Sequence, residues 1–394
     1  MTPLPTATDC RNKTKVVEKG CQLCPRRCSA RRRAGERGIC GADDSLRVAR
    51  AALHFWEEPP ISGWGADAAD GGACGSGAAA QGGARDGAMA RGGGARDGGA
   101  RDGGAVAQGG ACGSGAAAQG GARDGGAVAR DVAATRSGDN ARAGSGAVFF
   151  CNCPLHCVYC QNQAISSGLA GAAISVRRLA DIFCELQAQG AQNINLVTPT
   201  QYLPQIRRAL TRARRAGLHL PIVYNTSGYE RPELIATLAG CVDIFLTDFR
   251  YATAELATRY SQAPDYPQVA LAALQVMRQV AGDYRLDSAG ILKSGIIVRF
   301  LLLPGHLEEA RQALATVFSL LKNEVCYSLM NQFTPLPELE RHPELNRSVS
   351  DDEYDALIDF ALELGITNSF MQEGATASES YIPPFDLTGV LVGL

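Results

Sequence analysis

The sequence predicts an α/β protein: an open, partial (β/α)6 barrel with a small cysteine-rich N-terminal head and a disordered low-complexity insert. Three observations carry that prediction. From Gly146 onward, six short apolar runs alternate with stretches of helical periodicity, the pattern of a parallel sheet with outer helices. Cysteines gather at ligand-like spacings near residues 21–40 and 151–160. Between those two clusters lies a long stretch of Gly, Ala, Arg and Asp with almost nothing to bury. The chain therefore divides into a head at 1–63, an insert at 64–145 and a barrel at 146–394.

The head contains Cys21, Cys24, Cys28 and Cys40, spaced C-x2-C-x3-C-x11-C. Its Arg-rich surroundings cannot form a hydrophobic core, so a bound metal is expected to cross-link the segment. Zinc and an iron-sulfur cluster both suit four thiolates. Closed four-ligand sites are usually structural, which favours a propping role over a redox one. The run from Leu46 to Ser62 alternates as a strand would, and Pro59 and Pro60 end it. His54 within it is expected to be packed or at the surface, not a ligand.

The insert repeats a 17-residue unit, unchanged, at 71–87 and 109–125. So few side chains can be buried that backbone entropy of roughly 1–2 kcal/mol per residue goes unopposed, and disorder is expected. The unit lacks the apolar face of a solenoid repeat, so an expanded surface loop is the better reading. Cys74 and Cys112 occupy matching repeat positions and are read as free thiols.

In the barrel the expected strands are 147–150, 193–197, 221–224, 242–247, 295–303 and 326–332. Ser175 is a plausible N-cap for the first helix, and Val176, Leu179, Ile182, Phe183 and Leu186 share one helical face. In such architectures ligands sit at the C-terminal ends of the strands. Cys184, Cys241 and Cys326 are read as small buried apolar residues.

Composition excludes several functions. A net charge of −2 gives no reason to expect nucleic acid or an anionic membrane as partner. The N-terminal residues lack the pattern of an export signal, and no apolar run reaches the ~18 residues of a membrane span. A soluble, cytoplasmic monomer is expected. In such a compartment clustered cysteines indicate metal sites rather than disulfides.

Cys153, Cys157 and Cys160 follow the first expected strand at C-x3-C-x2-C spacing. Three soft thiolates hold three corners of a cubane cluster and leave one iron open. The alternative is a zinc knuckle that borrows a fourth ligand. This loop resembles the signature of the radical S-adenosylmethionine (radical SAM) enzymes. Ala147–Phe150 and Cys160–Asn162 resemble its PflX-type, pyruvate formate-lyase activating enzyme-like branch. The resemblance covers 145–394 and the head over 20–62.

The resemblance implies that Cys153, Cys157 and Cys160 hold a 4Fe-4S cluster whose open iron chelates S-adenosylmethionine. Reductive cleavage would give methionine and a 5'-deoxyadenosyl radical, with a flavodoxin or ferredoxin as reductant and a glycyl-radical enzyme as protein substrate. A small molecule or another protein is the alternative substrate, and a noncatalytic iron-sulfur or zinc protein is the competing class. Thr198 and Thr200 stand where the superfamily meets the cofactor's amino group, and Asn225 and Ser227 lie in a segment like those that contact the cofactor. Arg299, alone in an apolar strand, needs an anionic partner. The cofactor carboxylate is the candidate. Asp248 and Arg250 are equally well a structural ion pair. Gln201, Arg250 and Phe300 depart from the His, Lys and His usual in relatives, and Cys151 stands where relatives have Ser. Gln332, Gln372 and Glu373 face the pocket or solvate the rim.

Overall fold

A computed structural model describes residues 20–63, 144–336, 339–371 and 382–392, all within one compact unit. The insert's expected disorder, Cys74, Cys112, Gln372 and Glu373 lie outside the described residues. In chain order the elements are β1 (Arg47–His54), α1 (Pro59–Ser62), β2 (Ser145–Phe150), α2 (Gln163–Ser166), β3 (Ala172–Ala173), α3 (Val176–Ala188) and β4 (Ile194–Val197). There follow α4 (Leu203–Arg215), β5 (Ile222–Thr226), α5 (Pro232–Ala236), β6 (Ile244–Asp248), α6 (Ala254–Ser261) and α7 (Tyr266–Ala281). The chain continues through β7 (Arg285–Leu286), β8 (Leu292–Leu301), α8 (Leu307–Leu321), β9 (Cys326–Met330), α9 (Asp351–Glu363) and β10 (Ser369–Met371).

The protein is a mixed α/β fold on one large sheet, ordered β3-β1-β2-β4-β5-β6-β8-β9-β10, with β7 paired to β8 off that path. The strands from β2 to β10 along it are parallel, while β1 runs antiparallel to β2. Each of the six expected strands is present. The sheet is open, with β3 and β10 at its edges.

Successive strand residues point to opposite faces, and the two faces differ here. Val148, Leu196, Tyr224, Phe245, Val298 and Leu329 form a core with Phe183 of α3, Ile206 of α4 and Leu314 of α8. Ser175 caps α3 as expected, its side chain accepting from the Arg178 amide. On the opposite face, Val223, Ile244, Leu246, Ile297 and Cys326 surround Ile61 of α1. Burying Ile61 contributes about 1.5–3 kcal/mol.

The prolines after β1 therefore start a helix rather than only ending a strand: Pro59 and Pro60 take the first positions of α1, where their missing amides cost nothing. His54 pairs with Ser145 at the N-terminal end of β2, so α1 covers the sheet's second face from that end. The His54 ring packs edge-on against Phe149, and burial lowers its pKa to about 4. Cys326 is buried as expected, and Cys184 is half-buried. Cys241 is buried but also disulfide-bonded, so it is not simply a small apolar residue.

Candidate functional site

The loop that follows β2 carries Cys153, Cys157 and Cys160, and its shape is held by named partners. Asn152 and His156 adopt left-handed backbone, at φ 70 and φ 57, which turns the chain on either side of Cys153. Tyr202 donates its hydroxyl to the Asn152 side chain at 2.9 Å. The buried Gln201 amide donates to the carbonyls of Cys151, Asn152 and Thr198 at 2.8–2.9 Å. Gln201, where relatives have His, thus splints the cysteine loop. Cys151 is fully buried and points its sulfur to the Ala170 carbonyl at 3.1 Å, the strand-end role expected.

Low-dielectric surroundings push the Cys153 thiol up to about 12, and the neighbouring Cys157 and Cys160 add to the shift. Burial raises Cys160 as well, again with Cys157 contributing. The three sulfurs are therefore close enough to repel as thiolates. Among the described residues, no three His, Cys, Asp or Glu side chains converge as one metal ion requires. A cubane asks for something different, since each thiolate binds its own iron, and three soft donors in one ordered loop fit that group.

The head thiols also gather. Burial lifts Cys24 to about 12, with Cys40 and Cys21 adding to the shift. Cys40 is raised by burial too, with Cys21 and Cys28 contributing. A Cβ on Gly38 would lie 3.2 Å from the Cys28 sulfur and 3.5 Å from the Cys40 sulfur. The four are neighbours, though not drawn onto a single ion.

Sequence reasoning offered Arg299 an external carboxylate, but its anionic partners are inside the chain. Its Nε donates to Asp248 Oδ1 at 2.9 Å, Nη2 to Asn225 Oδ1 at 2.9 Å, and Nη1 reaches Glu57 Oε2 at 3.3 Å. Glu57 Oε1 accepts from Asn195 at 2.9 Å and from Asn225 at 3.2 Å. Asp248 Oδ2 accepts from Arg250 at 2.6 Å, so that pair is structural. An ion chain thus runs from Arg250 through Asp248 and Arg299 to Glu57. Cys157 and Cys160 lie near its Arg250 end. Arg250 Nε is buried without a partner there.

The chain's electrostatics follow from its composition. Burial works to raise Asp248, but Arg250 and Arg299 outweigh it and hold the carboxyl below its usual range. Glu57 and Glu58 are raised by burial against the pull of Arg299. Two guanidiniums face three carboxyls, which balances when one glutamate keeps its proton.

The remaining predicted residues are largely occupied by internal contacts. Thr198 is held at φ 57, its amide donating to the Asn225 carbonyl at 2.9 Å. Thr200 is buried and donates to Glu230 Oε1 at 2.5 Å, so its hydroxyl is not presented to a ligand. Thr226 donates to the same oxygen at 2.6 Å. The Ser227 carbonyl accepts from Tyr266 at 2.8 Å. Gly228 permits a close approach, but to the Asp248 carbonyl: a Cβ would lie 2.3 Å from it. Phe300 belongs to the helix-facing core, stacked on Tyr327. The Gln332 carbonyl accepts from Gln161 at 2.9 Å.

Glu57, Glu58, Asn195 and Glu230 escaped the sequence reading. A signal existed for Asn195: it is the one polar residue in the apolar run of β4, as Asn225, Asp248 and Arg299 interrupt the apolar runs of β5, β6 and β8. A surface depression of about 690 Å3 between α8 and α9, lined by Glu308, Arg311, Asp359 and Phe360, contains none of these residues.

No family model matches the chain. A similar sequence is Uncharacterized protein MJ0674 of Methanocaldococcus jannaschii, 25% identical over 223 residues, which are 54% of this chain and 61% of that protein. The chain thus spans less than two thirds of that relative's length. A similar solved structure is Streptococcus suis SuiB bound to precursor peptide SuiA, at a TM-score of 0.40 and 12% identity, covering 57% of this chain and 47% of SuiB. A likeness of that size leaves function to be argued from this chain's own residues.

Proposed function

We propose that this chain is a radical SAM enzyme in which Cys153, Cys157 and Cys160 hold a 4Fe-4S cluster. The observation that carries the reading is the three-thiol loop at the C-terminal end of the first parallel strand, ordered by Gln201 and Tyr202. In this reading the open sheet is a partial (β/α)6 barrel of the radical SAM type, extended by β10. The chemistry such a cluster supplies is one-electron cleavage of S-adenosylmethionine to methionine and a 5'-deoxyadenosyl radical.

The chain's own residues bind, orient and exclude water. Loading requires the thiols to lose protons, which burial opposes at Cys153 and Cys160 until metal compensates. Arg250, whose buried Nε has no hydrogen-bond partner and whose charge acts on Cys157 and Cys160, suits a ligand carboxylate better than Arg299, whose donors are taken. The backbone carbonyls of Thr198 and Ser227, with the Asn225 side chain, line the same strand ends. A glycyl-radical protein substrate and a flavodoxin or ferredoxin reductant belong to the proposal through the family resemblance, and a metal on Cys21, Cys24, Cys28 and Cys40 through their spacing.

Anaerobic reconstitution tests it. The reduced wild type should convert S-adenosylmethionine to 5'-deoxyadenosine and methionine, and replacing Cys153, Cys157 and Cys160 by Ala should abolish that. Cleavage that persists in the triple variant would sink the assignment.

A further inference from the structure

The head grips the β2 loop with the Arg26 side chain. Arg26 sits between Cys24 and Cys28, on a turn closed by the Arg27 amide donating to the Cys24 carbonyl at 3.1 Å. Its Nε donates to the Pro154 carbonyl at 3.0 Å, and Nη2 to the carbonyls of Leu155 at 3.3 Å and Ser261 at 2.7 Å. Nη1 donates to the Gln262 carbonyl. The guanidinium lies over the Tyr229 ring, 5.4 Å from its centroid.

Two of those carbonyls, Ser261 and Gln262, are at the C-terminus of α6, where helix carbonyls lack internal partners and a cation is favoured. The other two, Pro154 and Leu155, lie between Cys153 and Cys157. One planar fork of donors thus ties the loop that spaces two cysteines to the end of a helix. The Val158 amide, donating to the Tyr260 carbonyl at 2.9 Å, repeats the attachment on the far side of Cys157. A second contact from the head joins the His156 ring to the Ile39 carbonyl, beside Cys40, at 2.9 Å.

We propose that Arg26 is a positioning residue for the β2 cysteine loop: it fixes the span from Cys153 to Cys157 from the head. This deepens the radical SAM reading and rests on it for its purpose, but the positioning can be tested without any cluster.

The experiment uses full-length apo protein, reduced and anaerobic, with R26Q and R26K beside the wild type. Iodoacetamide labelling is followed cysteine by cysteine by peptide mass spectrometry, with buried Cys326 reporting global opening. R26Q should label Cys153 and Cys157 at least about tenfold faster, because two charge-assisted bonds to the loop are lost, while Cys326 is unchanged. R26K should fall between, since one ammonium cannot serve four carbonyls in fork geometry. Loss of the positive charge alone would slow labelling by disfavouring thiolates, so acceleration reports loop opening. Unchanged labelling in R26Q, or an equal rise at Cys326, overturns the proposal. In reconstituted protein, R26Q should also shift the electron paramagnetic resonance g values of the reduced cluster. A wild type that assembles no cluster defeats the radical SAM reading and leaves the labelling result standing.

Discussion

Arg299 on β8 and Asp248 on β6 are register partners on adjacent parallel strands, and their side chains meet at 2.9 Å across that pairing. Few arrangements are harder to alter. The guanidinium is nearly enclosed, with side-chain exposure of 17% against 7% for Asp248, so neither charge has much water to fall back on. Glu57 joins them from the segment leading into α1, so the ion pair also fastens the head's last helix to the sheet.

Arg299→Leu should therefore destabilise the fold by about 3–5 kcal/mol, the usual result of stripping one partner from a buried pair. The measurement is urea denaturation of the apo protein. A loss under 1 kcal/mol would mean that Asp248 and Glu57 accept solvent or protons more readily than their burial indicates.

The source of that network explains what the sequence disclosed. Six strands were legible because their apolar runs are short and regularly spaced, and the demand of Arg299 for an anion was legible because a lone Arg in such a run is costly. Its partners were not. Glu57 lies 242 residues away in sequence, beyond a long insert, and next to prolines that read only as a strand end. Thr200, expected to meet the cofactor's amino group, donates instead to the internal Glu230. Strand β10 is only three residues long, too short to produce a periodic signal. The cysteine loop was read from spacing alone, whereas its splint, Gln201, arises from a neighbouring strand end that spacing does not bring near.

The head thiols crowd Gly38, and that crowding makes a prediction. A valine there would drive carbon into the space between the Cys28 and Cys40 sulfurs, where even a Cβ lies at 3.2 Å and 3.5 Å. With Cys153, Cys157 and Cys160 replaced by Ala, the native head should retain one zinc or the iron of one iron-sulfur cluster. Gly38→Val should lower that stoichiometry severalfold. Metal analysis decides it, and equal metal in both proteins would place the ligands elsewhere.

Glu230 supplies a pH dependence whose sign can be worked out. Only 1% exposed, it is raised by burial to about 7, even though the hydroxyls of Thr200 and Thr226 favour its ionised form. Below about pH 4.5 the folded and unfolded chains both hold this proton, and the folded state suffers no penalty. Between there and about pH 7 the unfolded chain releases the proton while the folded chain keeps it. Stability then falls as pH rises, because the unfolded state binds fewer protons. The shift corresponds to about 3 kcal/mol, fully lost above pH 7. Glu230→Gln cannot titrate, and its amide still fills the space between Thr200 and Thr226. Denaturation at a series of pH values should give wild-type minus variant stability that declines by about 3 kcal/mol from pH 4.5 to pH 8. A flat difference would show that the carboxyl ionises in the folded protein at its ordinary pKa, with the two threonine hydroxyls fully offsetting its burial.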